Sequence, residues 1–293
     1  MHKQLQAEES FAPVDDVLRL YPLPSVTRPL RGLYLDHALH RLGSATRPFV
    51  YTNFILSADG RIYHRDPHSG RREVPPTLAN ARDWRLYQEL AAQADVVLTT
   101  ARHLRAVAAG RHIGLLGVDE AQHVDLAAWR AAHGLPRHPA VAVISRELDI
   151  PADALRAHYP GPLVVVTARA ADARRAGALQ AAGIRVLRAG RKNVEGAALR
   201  RALGEAGFRR IYSIAGARVL HTLLAGDSVD RLYLTQAQVL IGGERFGTLT
   251  TGPTLHPARG FRLHALYLDR GTPAGADQLF VCLARDAHAP AAD

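Results

Sequence analysis

The sequence is poor in cysteine and has no long apolar run. A single cysteine, Cys282, among 293 residues excludes an internal disulfide and any metal site built from several cysteines. No stretch approaches the roughly 20 consecutive apolar residues of a transmembrane helix. Residues 1–16 are polar and include acidic side chains, which is not the pattern of a secretory signal. We therefore expect a cytoplasmic protein.

The common motifs of hydrolases and phosphate loops are also missing. There is no Gly-x-Ser-x-Gly elbow and no Walker-type loop. His37 and His40 are three residues apart, but no third ligand is evident nearby, so we expect surface histidines and no metal site.

What is present is ordinary globular material with an excess of basic residues. Hydrophobic residues make up 47% of the chain, charged residues 22%, and the net charge is +10. A basic balance suits nucleic acid or an anionic small molecule. The arginines are scattered rather than gathered into one basic stripe, so we expect a phosphorylated small ligand and no nucleic-acid partner.

The chain divides at about residue 46. Residues 1–46 hold several prolines and no long periodic run, and they predict an N-terminal arm with one short helix near 33–42. Residues 47–293 predict one domain in which strands alternate with helices. The predicted strands are 48–58, 95–100, 140–145, 162–167, 184–190, 211–214 and 231–243, with a terminal hairpin of 261–270 and 277–285. Thr77 is predicted to cap the first long helix.

This alternation predicts a three-layer α/β domain. Strands joined through helices form a largely parallel sheet, and the strands that end the chain add antiparallel edges. In such sheets ligands bind at the carboxyl ends of the strands.

Three predicted strand-to-helix junctions carry polar, basic or very small residues. Backbone N–H groups at a helix start favour an anion, and nearby cations strengthen that preference. Each junction taken alone is also compatible with a capped helix whose basic residues are solvated. The residues concerned are Thr99, Thr100, Arg102 and His103, then Thr167 and Arg169, then Ala215, Gly216, Ala217 and Arg218.

Three segments, 47–62, 94–105 and 210–243, together resemble the reductase domain of riboflavin biosynthesis, of the 5-amino-6-(5-phosphoribosylamino)uracil reductase type. That family has a dihydrofolate reductase-like fold: three layers, a mostly parallel central sheet and an antiparallel C-terminal hairpin. The resemblance spans about residues 47–285. It implies an NADPH-dependent oxidoreductase that acts on a small molecule, and a homodimer.

The resemblance also implies roles for individual residues. The junction residues named above would bind NADPH: those of the first and third junctions at its phosphates, and those of the second beside the adenine ribose. Asn53 and Asp59 occupy catalytic positions, and Ser57 and Ile214 occupy substrate positions. From the residues alone, an ordinary turn aspartate is the favoured interpretation of Asp59.

Two positions depart from the family pattern. Ile214 stands where the family has a glutamate that contacts substrate, and Ala91 stands where it has an arginine for the substrate phosphate. An apolar wall gives no partner to hydroxyl groups, so a less polar substrate is expected. Two alternatives stay open: a reductase of a ribosylamino-pyrimidine or related molecule, and a catalytically silent or repurposed relative that binds a nucleotide or a partner protein.

Overall fold

The structure is a computed structural model that describes residues 15–65, 72–75, 77–108, 118, 122–151, 159, 161–272 and 275–285. Every structural statement below concerns these residues. Its strands are β1 (Asp16–Tyr21), β2 (Val26–Pro29), β3 (Phe49–Ser57), β4 (Tyr63–Arg65), β5 (Arg72–Glu73), β6 (Val96–Thr100), β7 (Ala140–Ile144), β8 (Leu163–Thr167), β9 (Arg185–Arg188), β10 (Arg210–Ser213), β11 (Arg231–Ala237), β12 (Phe246–Gly247), β13 (Arg262–Asp269) and β14 (Gln278–Ala284). The α-helices are α1 (Ala81–Ala92), α2 (Ala101–Ala108), α3 (Val124–Ala132), α4 (Ala173–Ala181), α5 (Gly196–Glu205) and α6 (Ala217–Ala225), and short 3-10 helices span Leu35–His37 and Leu39–Arg41.

One large sheet organises the chain. Its 11 strands lie in the order β2-β1-β13-β14-β11-β3-β10-β6-β7-β8-β9. Every pair from β11 to β9 is parallel, whereas β14, β13, β1 and β2 are joined by antiparallel pairings. The predicted C-terminal hairpin is the β13–β14 pair. Strands β12, β4 and β5 form a separate small sheet.

Helices cover both faces of the large sheet. Successive side chains of a strand point to opposite faces, so Tyr51 and Tyr212 pack in one cluster with α1 while Val50 and Ile211 pack in another with α5 and α6. Helices α2, α3 and α4 lie on the α1 face. This is the predicted three-layer α/β architecture. Among the described residues, no helix is both long enough and apolar enough to cross a membrane.

The described part of the N-terminal arm belongs to the same sheet and core. Strand β1 pairs with β13, and β2 pairs with β1. The arm is also held by α1, because the Glu89 carboxylate accepts hydrogen bonds from the backbone N–H groups of Gly32 at 2.6 Å and Tyr34 at 2.9 Å. A domain boundary at residue 46 stays a prediction.

Several local expectations were wrong. Asn80 rather than Thr77 caps α1, since its side chain accepts the backbone N–H groups of Arg82 and Asp83. Strand β11 ends at Ala237, and the segment to residue 243 leaves the sheet, with Gly242 and Gly243 at positive φ. The predicted short helix near 33–42 is a pair of 3-10 turns.

His37 is not a surface residue as expected. Its ring nitrogens lie 2.9 Å from the hydroxyl oxygens of Tyr233 and Tyr267. Burial lowers the pKa of His37 to about 3, with Arg231 and His264 contributing in the same direction. A neutral imidazole donates through one nitrogen and accepts through the other, so His37 ties the arm to β11 and β13 without carrying a charge.

Candidate active site

The three predicted junctions lie at one edge of the sheet. Strands β10, β6, β7 and β8 are successive parallel neighbours, so their carboxyl ends share that edge. The first and third junctions are directly linked, because the backbone N–H of Ile214 donates to the carbonyl oxygen of Leu98 at 3.0 Å. The first and third junctions therefore lie side by side at this edge.

The first junction is a capped helix start with an exposed cation. The Thr100 hydroxyl oxygen accepts the backbone N–H of His103 at 3.4 Å. Arg102 is exposed, His103 is half-buried, and Thr99 is buried within β6. An anion in front of α2 would therefore meet backbone N–H groups together with the Arg102 charge.

The third junction leaves its helix start open. Gly216 is the N-terminal cap of α6, in extended backbone, and no side chain caps the helix. A Cβ atom added to Gly216 would meet no heavy atom within 4 Å, so free space lies in front of this turn. Arg218 is exposed, whereas Ala215 is buried beneath the turn. Uncapped N–H groups facing open space suit a phosphate.

The second junction borders a pocket of about 200 Å³. Its wall is largely apolar and comes from the ends of β7 and β8, from the segment before α5 and from α6. The lining residues are Ile144, Arg146, Ala168, Asn193, Val194, Val219 and Thr222. The Thr167 hydroxyl oxygen, next to Ala168, is buried and has no hydrogen-bond partner among the described residues. A flat apolar slot with polar groups at its rim fits a heteroaromatic base.

A second pocket, of about 370 Å³, continues from the first one. The two share Arg146 and Ala168. Three cations, Arg146, Arg175 and Lys192, line the second pocket along with the acidic residues Glu147 and Asp172. Arg169, predicted for this region, is exposed, and its backbone N–H donates to the carbonyl of Gly190 at 3.0 Å. The sequence interpretation missed this cationic pocket because its members come from three segments, which follow β7, β8 and β9.

Asn53 and Ile214 lie on the α1 face of the sheet. The Tyr212 hydroxyl donates to Oδ1 of Asn53 at 2.6 Å, which leaves the Asn53 amide N–H groups available to a ligand. The Tyr87 ring lies 5.6 Å from that of Tyr212. Ile214 packs against the core on this face yet stays half-buried. We call the surface formed by Asn53, Asp83, Tyr87, Ile214 and Thr235 the α1 cleft.

Asp83 is a member of the α1 cleft that the sequence interpretation missed. It lies in the first turn of α1 and is half-buried. Burial raises its pKa to about 6, and a hydrogen bond with Thr235 offsets part of that rise. The sequence does carry one signal: Asp83 precedes Tyr87 by four residues and Leu90 by seven, so it falls on the same helix face as these two apolar residues. A carboxyl group on such a stripe is a functional candidate.

Asp59 is engaged in a turn. Its carboxylate pairs with Arg61 at 2.8 Å, accepts the Ser57 hydroxyl, and accepts the backbone N–H of Gly242 at 3.0 Å. The Ser57 hydrogen bond is the main reason why the pKa of Asp59 falls to about 2. Asp59 and Ser57 thus join the β3–β4 turn to the segment after β11. Their catalytic and substrate roles stay predictions.

Residues 48–265 match the family model of the RibD C-terminal domain. The chain belongs to the RibD C-terminal domain family. Three solved structures share its fold. They are a pyrimidine reductase-like protein from Corynebacterium diphtheriae (20% identity, 82% of this chain and 94% of that one, TM-score 0.57), RibD from Acinetobacter baumannii (16%, 81% and 57%, 0.54) and the riboflavin biosynthesis reductase Rib7 from Saccharomyces cerevisiae (16%, 86% and 98%, 0.52). A search of curated protein sequences gives no match.

The family assignment confirms the resemblance and the predicted fold class. The structure also shows where the two residues that depart from the family pattern, Ala91 and Ile214, are located. Ala91 is buried in the core on the α1 face, 1% exposed, and offers nothing to a substrate phosphate. Ile214 stands between the α6 turn and the α1 cleft. The family membership makes this chain a reductase-type domain.

Proposed function

We propose that this protein is an NADPH-dependent reductase that transfers a hydride to a ribosylamino-pyrimidine or a related small molecule. The observation that carries the proposal is the continuous surface at the carboxyl ends of β6, β7, β8 and β10. It joins an apolar slot, a cationic pocket and two helix starts. The apolar slot suits the adenine base of NADPH, the cationic pocket suits its 2′-phosphate, and the two helix starts suit its pyrophosphate.

The residues present fit this cofactor. The slot that would hold the adenine is lined by apolar side chains of β7 and α6, and Asn193 and Thr222 add polar groups to it. The starts of α2 and α6 would bind the pyrophosphate, with Arg102 and Arg218 adding charge. The nicotinamide, which supplies the hydride, would then lie toward Ile214 and Asn53.

The substrate side supports a molecule less polar than the family's usual one. Ile214 offers no hydrogen bond, and Ala91 cannot contact a phosphate because it is buried. Asn53 still offers its amide N–H groups to a ring carbonyl or nitrogen. We infer a heterocycle that lacks the ribose phosphate or presents it elsewhere.

Binding and turnover measured separately test the proposal. Purified protein is titrated with NADPH and with NADH, and NADPH oxidation is followed with a panel that contains 5-amino-6-(5-phosphoribosylamino)uracil and its dephosphorylated form. We expect saturable NADPH binding and faster turnover of the dephosphorylated compound. No saturable binding of either cofactor would contradict the proposal. Binding without turnover of any panel compound would favour the silent relative.

Cofactor selectivity should depend on the cationic pocket. Arg146→Ala and Lys192→Ala each remove a charge near the proposed 2′-phosphate. We therefore expect each substitution to weaken the binding of NADPH about tenfold or more and to change the binding of NADH little. Arg102→Ala and Arg218→Ala should weaken the binding of NADPH and of NADH to the same extent, because both cofactors contain the pyrophosphate. Arg201→Ala, on the exposed side of α5, is the control. Equal losses of NADPH and NADH in Arg146→Ala would contradict this placement.

We also propose, from the family resemblance, that the protein is a cytoplasmic homodimer. Light scattering of the purified chain at micromolar concentration measures its mass directly, and cell fractionation tests its location.

A further inference from the structure

Asp83 lies on the same face of the sheet as the residues proposed to meet the nicotinamide and the substrate. Its backbone N–H donates to Oδ1 of Asn80 at 3.0 Å, and its carboxyl shares a hydrogen bond with Thr235. Thr235 pairs in register with Ile55, two residues beyond Asn53 along β3. The carboxyl is therefore fixed by α1 above the strands that carry Asn53.

Within the part of the chain that the structure describes, the groups around Asp83 provide no counter-ion for a carboxylate. Tyr34 from the arm and Tyr212 from β10 interact with it electrostatically, and burial raises the pKa of both phenols well above their usual range, so both stay neutral. Tyr87, one turn along α1, is neutral for the same reason. The adjacent cation, Arg82, is occupied by Asp269 at 2.8 Å. These surroundings hold a proton on Asp83 to a higher pH than usual for an aspartate.

Asp59 cannot take the same role. Its carboxylate is stabilised by Ser57, Arg61 and two backbone N–H groups, and its pKa falls to about 2. It carries no proton near neutral pH. Of Asp59 and Asp83, Asp83 is the one that can donate a proton near neutral pH.

We propose that Asp83 is a further catalytic residue of this protein, the acid that protonates the substrate beside the carbon that is reduced. The proposal rests on the proposed function, since the nicotinamide must supply the hydride. As the hydride adds to the carbon of a C=N or C=O group, the π electron pair moves to the heteroatom. The Asp83 O–H bond breaks, and its proton joins that heteroatom. The carboxylate then regains a proton from water at its exposed side.

The chain's own residues support this proton transfer. Thr235 orients the Asp83 carboxyl through a hydroxyl that is itself buried. Asn53 is oriented by Tyr212 and would hold a polar group of the substrate ring. The neutral phenols keep the local dielectric low without adding charge, which maintains the raised proton affinity.

The test is the pH profile of kcat in Asp83→Asn, a variant that keeps the size of the side chain and its hydrogen bond to Thr235. In the wild type we expect kcat to fall as pH rises above about 6, because the acid loses its proton. Asp83→Asn should lower kcat by about 10²- to 10⁴-fold and abolish this dependence, with the Kd of NADPH unchanged. Asp83→Glu should recover part of the rate and the pH dependence. Asp149→Asn, on an exposed carboxyl group, is the control.

A second measurement needs neither cofactor nor substrate. Infrared difference spectra between acid and neutral pH should show a protonated-carboxyl band that titrates near pH 6 and is lost in Asp83→Asn. A band that is unchanged in that variant would overturn the proposal. A wild-type kcat and pH profile in Asp83→Asn would overturn it too. Failure of the wild type to bind NADPH or to reduce any panel compound would instead contradict the proposed function. The role of Asp83 as a proton donor would then be contradicted as well, because it requires a hydride from the nicotinamide.

Discussion

Two carboxyl groups near β3 and β11 have opposite proton affinities for plain physical reasons. Asp59 accepts hydrogen bonds from a hydroxyl and from backbone N–H groups, and these stabilise its charged form. Asp83 has lost water and gained one neutral hydroxyl partner, so its charged form is disfavoured. An active site can use such a pair for two tasks, because one group stays ionised while the other can donate a proton.

The raised pKa of Asp83 should make stability depend on pH. A folded-state pKa of about 6 against a usual value of 3.8 means that the folded state binds more protons than the unfolded state between these values. Stability therefore falls as pH rises through this window. We expect Asp83→Asn to be more stable than the wild type by about 2 kcal/mol at pH 7. The advantage should disappear below pH of about 4.

Urea denaturation at a series of pH values measures this difference. Asp149→Asn serves again as the control, because its exposed carboxylate should give no pH-dependent gain. A constant difference between the wild type and Asp83→Asn across the range would show that Asp83 titrates normally in the folded protein.

At the scale of elements, the end of α1 depends on one buried cation. Arg130 of α3 is 0% exposed. Its guanidinium donates to the carbonyl oxygens of Ala92 at 2.8 Å and Ala94 at 3.0 Å, and to that of Pro136 at 2.6 Å. The last carbonyls of a helix have no partner within the helix. Arg130 thus caps α1 from a neighbouring helix and fixes how α3 packs against it.

Replacing Arg130 should lower the stability of the protein. Arg130→Met keeps much of the side-chain volume but leaves buried carbonyl oxygens without donors, so we expect a loss of about 3 kcal/mol in the free energy of unfolding. Chemical denaturation measures it. Arg174→Met, exposed on α4, is the matched control and should change stability by less than about 0.5 kcal/mol. Similar losses in the two variants would contradict the capping role.

At the scale of the whole molecule, the arm is joined to the domain through α1. Glu89 is fully buried and accepts Gly32 N–H, Tyr34 N–H and the Arg85 guanidinium, the last at 2.8 Å. Arg85 in turn binds Asp125 at 2.6 Å on α3. One carboxylate thereby connects the arm, α1 and α3 in a single polar network.

We expect Glu89→Ala to loosen this part of the molecule. Removing the carboxylate leaves the N–H groups of Gly32 and Tyr34 without their acceptor and takes away one of the two carboxylates that pair with Arg85, which should cost about 3–5 kcal/mol. Limited proteolysis should then cut faster within residues 22–48 than elsewhere. Glu205→Ala, exposed at the end of α5, is the control. Equal proteolysis of both variants would mean that strand pairing alone holds the arm.

Much of the fold was predictable because its signals are local. The strands β3, β6, β7, β8 and β10 are short apolar runs bounded by turns, and the helices between them carry apolar stripes. Parallel strands in turn place their carboxyl ends at one edge of the sheet, and the junctions at 99–103 and 214–218 lie side by side there. The early end of β11 was not predictable, since residues 238–243 are held by contacts of Asp59 and Arg61 from another turn.

The candidate site was only partly predictable. Backbone turns such as that at Gly216 have a local signature, whereas the cationic pocket needs Arg146, Arg175 and Lys192, which follow three different strands of the sheet. The half-buried position of His37 likewise depends on two tyrosines from distant strands. When the role of a residue depends on side chains from distant segments, the local sequence around that residue does not reveal the role.

The sequence by itself determined the α/β layering, the family and the places where a phosphate can meet a helix start, because these follow from local periodicity and small residues at turns. Only the tertiary structure decided the protonation of Asp83 and Asp59. Proton affinity depends on the groups that surround a carboxyl in space, and those groups come from the arm, α1, β10 and β11. The chain thus specifies where the cofactor would bind, and the packing of distant segments specifies where a proton is available.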